Sequence, residues 1–311
     1  MWVQELLPQK YKLYAGNLRQ EGGVGMSGQA YSIEMPQGWQ SPVVIASPHS
    51  GSNYPKTFVS QSILDANRLR SSEDAFVDQL FAAAPRLGMP LLTAKMPRAY
   101  VDLNRSSDEL DPALIEGARR RGQNPRIASG LGVIPRVVAN GREIYRGKIP
   151  MDEAVARIDD YWVPYHAALQ RLLDASHTRF GRAILIDCHS MPHEAIESCS
   201  PRRERRPQIV LGDRFGAAAD AAIVDQVEAA FAEVGFRVAR NSPFAGAYIT
   251  QTYGRPFRHQ HAIQVEIDRS LYMHEADVAP NDGFDDVRAR LTLALQRIAQ
   301  LGEDLTPMAA E

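Results

Sequence analysis

The chain reads as an α/β protein with a mixed, mostly parallel sheet and helices on both faces. Three observations predict this. Apolar runs of strand length recur along the chain, helical patterns separate them, and neither repeat nor linker breaks the alternation. The 311 residues suffice for one such domain with a substantial core. Residues 26–311 are expected to form it. Residues 1–25, weakly periodic and closing on EGGVG, are expected to be an appendage.

Strands are predicted at 43–47 (VVIAS), 90–94 (PLLTA), 183–189 (AILIDCH), 207–213 (PQIVLGD), 236–241 (FRVARN) and 262–268 (AIQVEID). A helix is predicted from Glu73, with Phe76, Leu80, Ala84 and Leu87 on one stripe. Another runs over 151–177, with Val155, Ile158, Trp162, Leu169 and Leu172 aligned and Pro164 expected to kink it. Two more, within 213–235 and 284–302, each finish at a glycine suited to a C-terminal cap. One insertion, 111–150, is rich in Gly, Pro and Arg. In it, Asn140-Gly141 predicts a hairpin with a two-residue turn, pairing Val138 with Glu143 and Arg136 with Tyr145. Such a long segment is expected to be a lid or pocket wall.

A formal charge of −2 gives no net attraction to nucleic acid or an anionic membrane, and the basic run RRERR (202–206) reads as a solvated loop. Cys188 and Cys199 are too few for a disulfide framework, form no C-x-x-C pair and are read as reduced. No 18-residue apolar run exists, and the N-terminus lacks a basic region followed by a long apolar core. A cytoplasmic protein is the expectation.

Two strands end in a histidine followed by a turn: His49 in SPHSG and His189 in DCHSMP. Strand ends of open α/β sheets are where ligands sit, and two converging neutral imidazoles suit a catalytic zinc, which takes three protein ligands and leaves one position open. The third ligand is expected to be a carboxylate from RSSED, either Glu73 or Asp74. As residues of a first helical turn the two would point about 100° apart, and the residues leave the choice open. Glu266 lies inside an apolar strand, where an unpaired carboxylate is costly. Beside a metal it would be a natural general base, while pairing with Arg269 would make it structural. Arg98, Arg105, Arg136 and Arg146 offer guanidinium forks to a carboxylate-bearing substrate.

Taken together and in order, SPHSGSNYP, SSEDAFVDQLF, PRAYVDLNR, IPRVVANGREIYRGKIP, LIDCHSMP and QVEIDRSLYM resemble the N-formylglutamate amidohydrolases over roughly residues 30–300. The resemblance implies a zinc-exopeptidase-like fold and hydrolysis of N-formyl-L-glutamate to formate and L-glutamate, the last step of one histidine degradation route. A more distant likeness to zinc amidases of cell-wall peptides implies one zinc on His49, Glu73 and His189, with Glu266 as base. The two substrate carboxylates would then fall to Arg105, Arg136 and Arg146, with Asn104 and Tyr248 nearby. Gln251 stands where sequences of that family often carry arginine, which keeps another N-acyl amino acid or small peptide open as substrate. A noncatalytic binding protein on the same fold is the alternative of another class.

Overall fold

The computed structural model describes residues 26–27, 30–119, 124–197 and 206–301. The expected appendage, most of the RRERR run and Cys199 lie outside these residues. Cys188 is buried and free.

An eight-stranded sheet organises the chain. Its strands are β1 (Met26–Ser27), β2 (Tyr31–Glu34), β3 (Val43–Ser47), β4 (Leu91–Ala94) and, after a separate hairpin of β5 (Val137–Val138) and β6 (Arg142–Glu143), β7 (Ala183–Met191), β8 (Ile209–Gly212), β9 (Val238–Arg240) and β10 (Gln260–Asp268). The order is β1-β2-β4-β3-β7-β10-β8-β9. Strands β4, β3, β7 and β10 run parallel, as do β8 and β9; the pairs β1/β2, β2/β4 and β10/β8 are antiparallel. The mixed, mostly parallel sheet is thus as expected, and all six predicted strands are present.

Side-chain alternation divides the core in two. Val43, Ile45, Ile184, Ile186, Ile263, Val265 and Ile267 meet one helical layer, which includes the helices Ala221–Glu233 and Phe284–Ala299. Val44, Ala46, Leu185 and Ala262 meet the other, which includes the helix Val163–Phe180. Each fully buried Ile or Val contributes about 1.5–3 kcal/mol, so this double coverage fixes strand register strongly. Continuing the second face towards the strand ends brings Asp187, His189, Gln264 and Glu266 to one side.

Two local expectations are corrected and one is met. The segment after Ser72 does not begin as a helix: Glu73 is extended (φ −68°, ψ 138°), Phe76 is left-handed (φ 66°), α-helix covers only Val77–Leu80, and a 3-10 turn follows at Ala84–Leu87. The 151–177 pattern does form helix over Met151–Arg157 and Val163–Phe180, joined by a π-turn, Ile158–Trp162, immediately before Pro164. The wider turn accommodates the proline's missing donor. In the hairpin Val137 pairs with Glu143 and Val138 with Arg142, a one-residue shift from expectation. Asn140 and Gly141 take the left-handed conformation that their types favour (φ 60° and 68°), but Ala139 joins the loop and makes it three residues.

Candidate active site

Elements from across the chain converge at the C-terminal ends of β3, β7 and β10. His49 follows β3 by two residues. The chain turns there against Met96, whose carbonyl oxygen would lie 2.2 Å from a Cβ at Gly51, so only glycine fits. His189 belongs to β7 and stands level with Glu266 of β10 in a parallel register that also pairs Asp187 with Gln264.

The two imidazoles meet edge to face, with centroids 4.7 Å apart. Both turn Nδ1 towards one oxygen, Asp74 Oδ2, which is 2.9 Å from His189 and 3.4 Å from His49. His49, Asp74 and His189 are all buried and can each offer a ligand atom within 4.8 Å of the others. Behind them, His49 Nε2 lies 2.8 Å from Asp102 Oδ1, and His189 Nε2 lies 3.0 Å from Asp187 and 3.2 Å from Asn104 Nδ2. Arg98 holds Asp102, and Arg269 holds the other oxygen of Asp74 at 2.9 Å. A carboxylate behind each imidazole is the arrangement that fixes tautomer and ring direction at metal sites. His49 Nδ1 is buried without a hydrogen-bond partner, an orphaned donor-acceptor atom aimed into the cluster. The residues therefore fit a divalent cation.

The charges are arranged for exchange of proton and metal. Burial works against protonating His189, but the Asp187 carboxylate 3.0 Å away and the hydrogen bond to Asp74 outweigh it and hold its pKa well above the usual value. Burial likewise raises Asp74, yet His189 and His49 pull it well below the usual carboxylate range. Glu266 is different: burial, helped by Asp74 and opposed by His189, Arg98 and Arg269, pushes it up to about 7. Gln264 Nε2 donates to Glu266 Oε1 at 2.7 Å.

The cluster opens into a cavity of about 680 Å³. Its walls include Asn104, Arg105, the hairpin residues 137–141, the loop 243–247 and Glu266. The expected role of the insertion as a pocket wall is thus met by the hairpin's own residues.

Of the residues singled out in the sequence, the structure brings together His49, His189, Glu266, Asn104, Arg98 and Arg105. Glu73 is elsewhere: Arg70 grips its carboxylate at 2.9 and 3.0 Å, and Tyr54 donates to it at 3.0 Å. Asp74 stands with the imidazoles in its place, because the extended backbone at Glu73 turns neighbouring side chains to opposite sides. Arg136 is bound to Asp111 and Glu143, Arg146 is exposed on the hairpin, and neither lines the cavity. Tyr248 packs against Trp162 and His166 instead. Sequence reasoning passed over Asp102, Asp187 and Arg126; Asp187 had a signal, since two residues before His189 in a strand means the same face.

Residues 41–273 match the family model described as N-formylglutamate amidohydrolase. The chain is 31% identical over 264 residues to N-formylglutamate deformylase of Pseudomonas putida, covering 83% of this chain and 91% of that one. To the Pseudomonas aeruginosa deformylase it is 32% identical over 239 residues, 75% of this chain and 83% of the other. The crystal structure of N-formylglutamate amidohydrolase from Ralstonia eutropha JMP134 superposes with a TM-score of 0.83 at 37% identity, over 89% of this chain and all of that one. With the match extending through every strand that carries the cluster, the chain belongs to the N-formylglutamate amidohydrolase family.

Proposed function

We propose that the chain hydrolyses N-formyl-L-glutamate to formate and L-glutamate, with one zinc ion held by His49, Asp74 and His189 and with Glu266 as general base. Asp74 replaces Glu73 in this reading because of its place beside both imidazoles. The observation that carries it is the facing of Glu266, with a pKa near 7, onto that three-residue cluster across one strand pair. The names of the relatives support the substrate, and the donor set of two imidazoles and a carboxylate supports zinc. A buried, reduced Cys188 accords with a cytoplasmic setting. Residues 26–301 would act as a single catalytic domain.

Held by His49, Asp74 and His189, a zinc ion would supply the positive charge that polarises a formyl carbonyl and acidifies a water molecule. Asp102 and Asp187 orient the two imidazoles. Glu266 accepts the water's proton and returns it to the departing amine, and a pKa near neutrality suits both transfers. Gln264 fixes one oxygen of Glu266 and leaves the other for this exchange. Arg105 presents its guanidinium to a substrate carboxylate from the cavity wall.

Glu266→Gln tests this directly. Formate release should fall about 10²–10⁴-fold in kcat with zinc content and KM little changed. The wild type must ionise Glu266 to work, so kcat/KM should decline as pH drops through an apparent pKa at or below about 7, the metal's charge pulling it down. The variant should lack that limb. Near-normal turnover in the variant would sink the mechanism.

A further inference from the structure

Two arginines on the cavity wall carry charges that no described carboxylate neutralises directly. Arg105 is 6% exposed, and its guanidinium is engaged by backbone carbonyls: Nε donates to Leu131 O at 3.0 Å and Nη1 to Asn104 O at 2.9 Å. Asp102 and Glu109 act on it only at longer range. Asp102 is occupied by His49, Arg98 and the Asn104 N–H, and Glu109 accepts from the Ser106 N–H. Burial pulls the pKa of Arg105 below the usual arginine value, Asp102 opposes that pull, and Arg98 and Arg126 add to it.

Arg126 stands on the short helix Pro125–Ala128 of the insertion, exposed at the rim of the same cavity. Leu131 ties the two arginines together. Its N–H donates to the Arg126 carbonyl at 2.8 Å, while its own carbonyl takes Arg105 Nε. Among the described residues the Arg126 guanidinium has neither hydrogen bond nor ion pair. Two guanidiniums facing one cavity repel each other, and the buried one is cut off from bulk water, so an anion between them relieves both costs.

We propose that Arg126 joins Arg105 in a receptor for the carboxylate of the substrate side chain, and that Arg126 sets the preference for an acidic over a neutral side chain. The identity of the ligand rests on the proposed N-formylglutamate reaction; the receptor itself rests on the two arginines. The distal carboxylate is assigned because the formyl nitrogen sits on the carbon that carries the α-carboxylate. That carboxylate stays near the reacting bond, where Arg98 backs Asp102. The side chain extends three bonds further, towards the rim.

The test compares the zinc-loaded wild type, Arg126→Ala and Arg126→Lys on N-formyl-L-glutamate and its neutral isostere N-formyl-L-glutamine, alongside glutarate and butyrate binding by calorimetry. Arg126→Ala should lower the glutamate-to-glutamine ratio of kcat/KM about 10- to 100-fold, chiefly through KM, with partial recovery in Arg126→Lys. Glutarate affinity should fall by a similar factor and butyrate affinity should not. An unchanged ratio, or equal losses on both substrates, would overturn the proposal. So would glutarate binding that is absent from the wild type or indifferent to Arg126. If the wild type turns over neither formyl compound yet glutarate binding still depends on Arg126, the receptor stands and the proposed reaction falls.

Discussion

Asp74 and Glu73 carry the same charge one residue apart, and backbone conformation decides which of them meets the imidazoles. The extended conformation at Glu73 sends it to Arg70 and Tyr54 and Asp74 to His49 and His189. Asp74→Asn should therefore weaken zinc binding by more than the roughly 10- to 100-fold typical of outer partners. Glu73→Gln should keep zinc and cost about 1–2 kcal/mol of stability, since it weakens a largely buried ion pair. Zinc content and thermal unfolding of the two variants separate the roles, and loss of zinc from Glu73→Gln alone would reverse them. His49, His189 and Glu266 were legible in the sequence because polar residues in or just after apolar strands stand out without knowledge of the fold. The choice between Glu73 and Asp74 was not legible, since it depends on one pair of backbone angles in a segment whose apolar stripe reads as helix. Arg136 and Arg146 were misplaced for a related reason: their charges were visible, but Asp111, which holds Arg136, lies 25 residues away.

At the scale of elements, the strands were readable and the connections were not. VVIAS, AILIDCH and AIQVEID are apolar because both faces of β3, β7 and β10 are covered, and every residue of these three strands is buried. The hairpin's existence was readable from Asn140-Gly141, while its register turned on whether Ala139 belongs to strand or loop. The turn after β3 makes a demand of its own at Gly51. A methyl group there must displace the Met96 backbone, which costs about 1–3 kcal/mol and moves His49 two residues upstream. Gly51→Ala should thus lose both stability and zinc affinity. Gly147→Ala, with open space around it, should lose neither. Equal behaviour of the two variants in thermal unfolding and zinc titration would refute the packing argument.

Across the whole molecule, the sheet joins residues far apart in sequence into one cluster: His49 after β3, Asp74 from the segment before the helix Val77–Leu80, and His189 and Glu266 on neighbouring strands. No helix among the described residues is long and apolar enough to cross a membrane. The cavity of about 680 Å³ is of the size that encloses a small ligand, and Arg105 and Arg126 are among the residues that line it. Metal binding should stabilise this assembly, because an ion held there would take the place of the proton that His189 favours and give the orphaned Nδ1 of His49 a partner. The central claim, a single zinc serving hydrolysis of N-formyl-L-glutamate, is tested most directly by titrating metal-stripped protein with zinc while measuring formate release. Activity should be absent at the start, rise with added zinc and level off at about one equivalent per chain. Formate release that is already full in the stripped protein, or that never appears at any zinc level, would contradict the account.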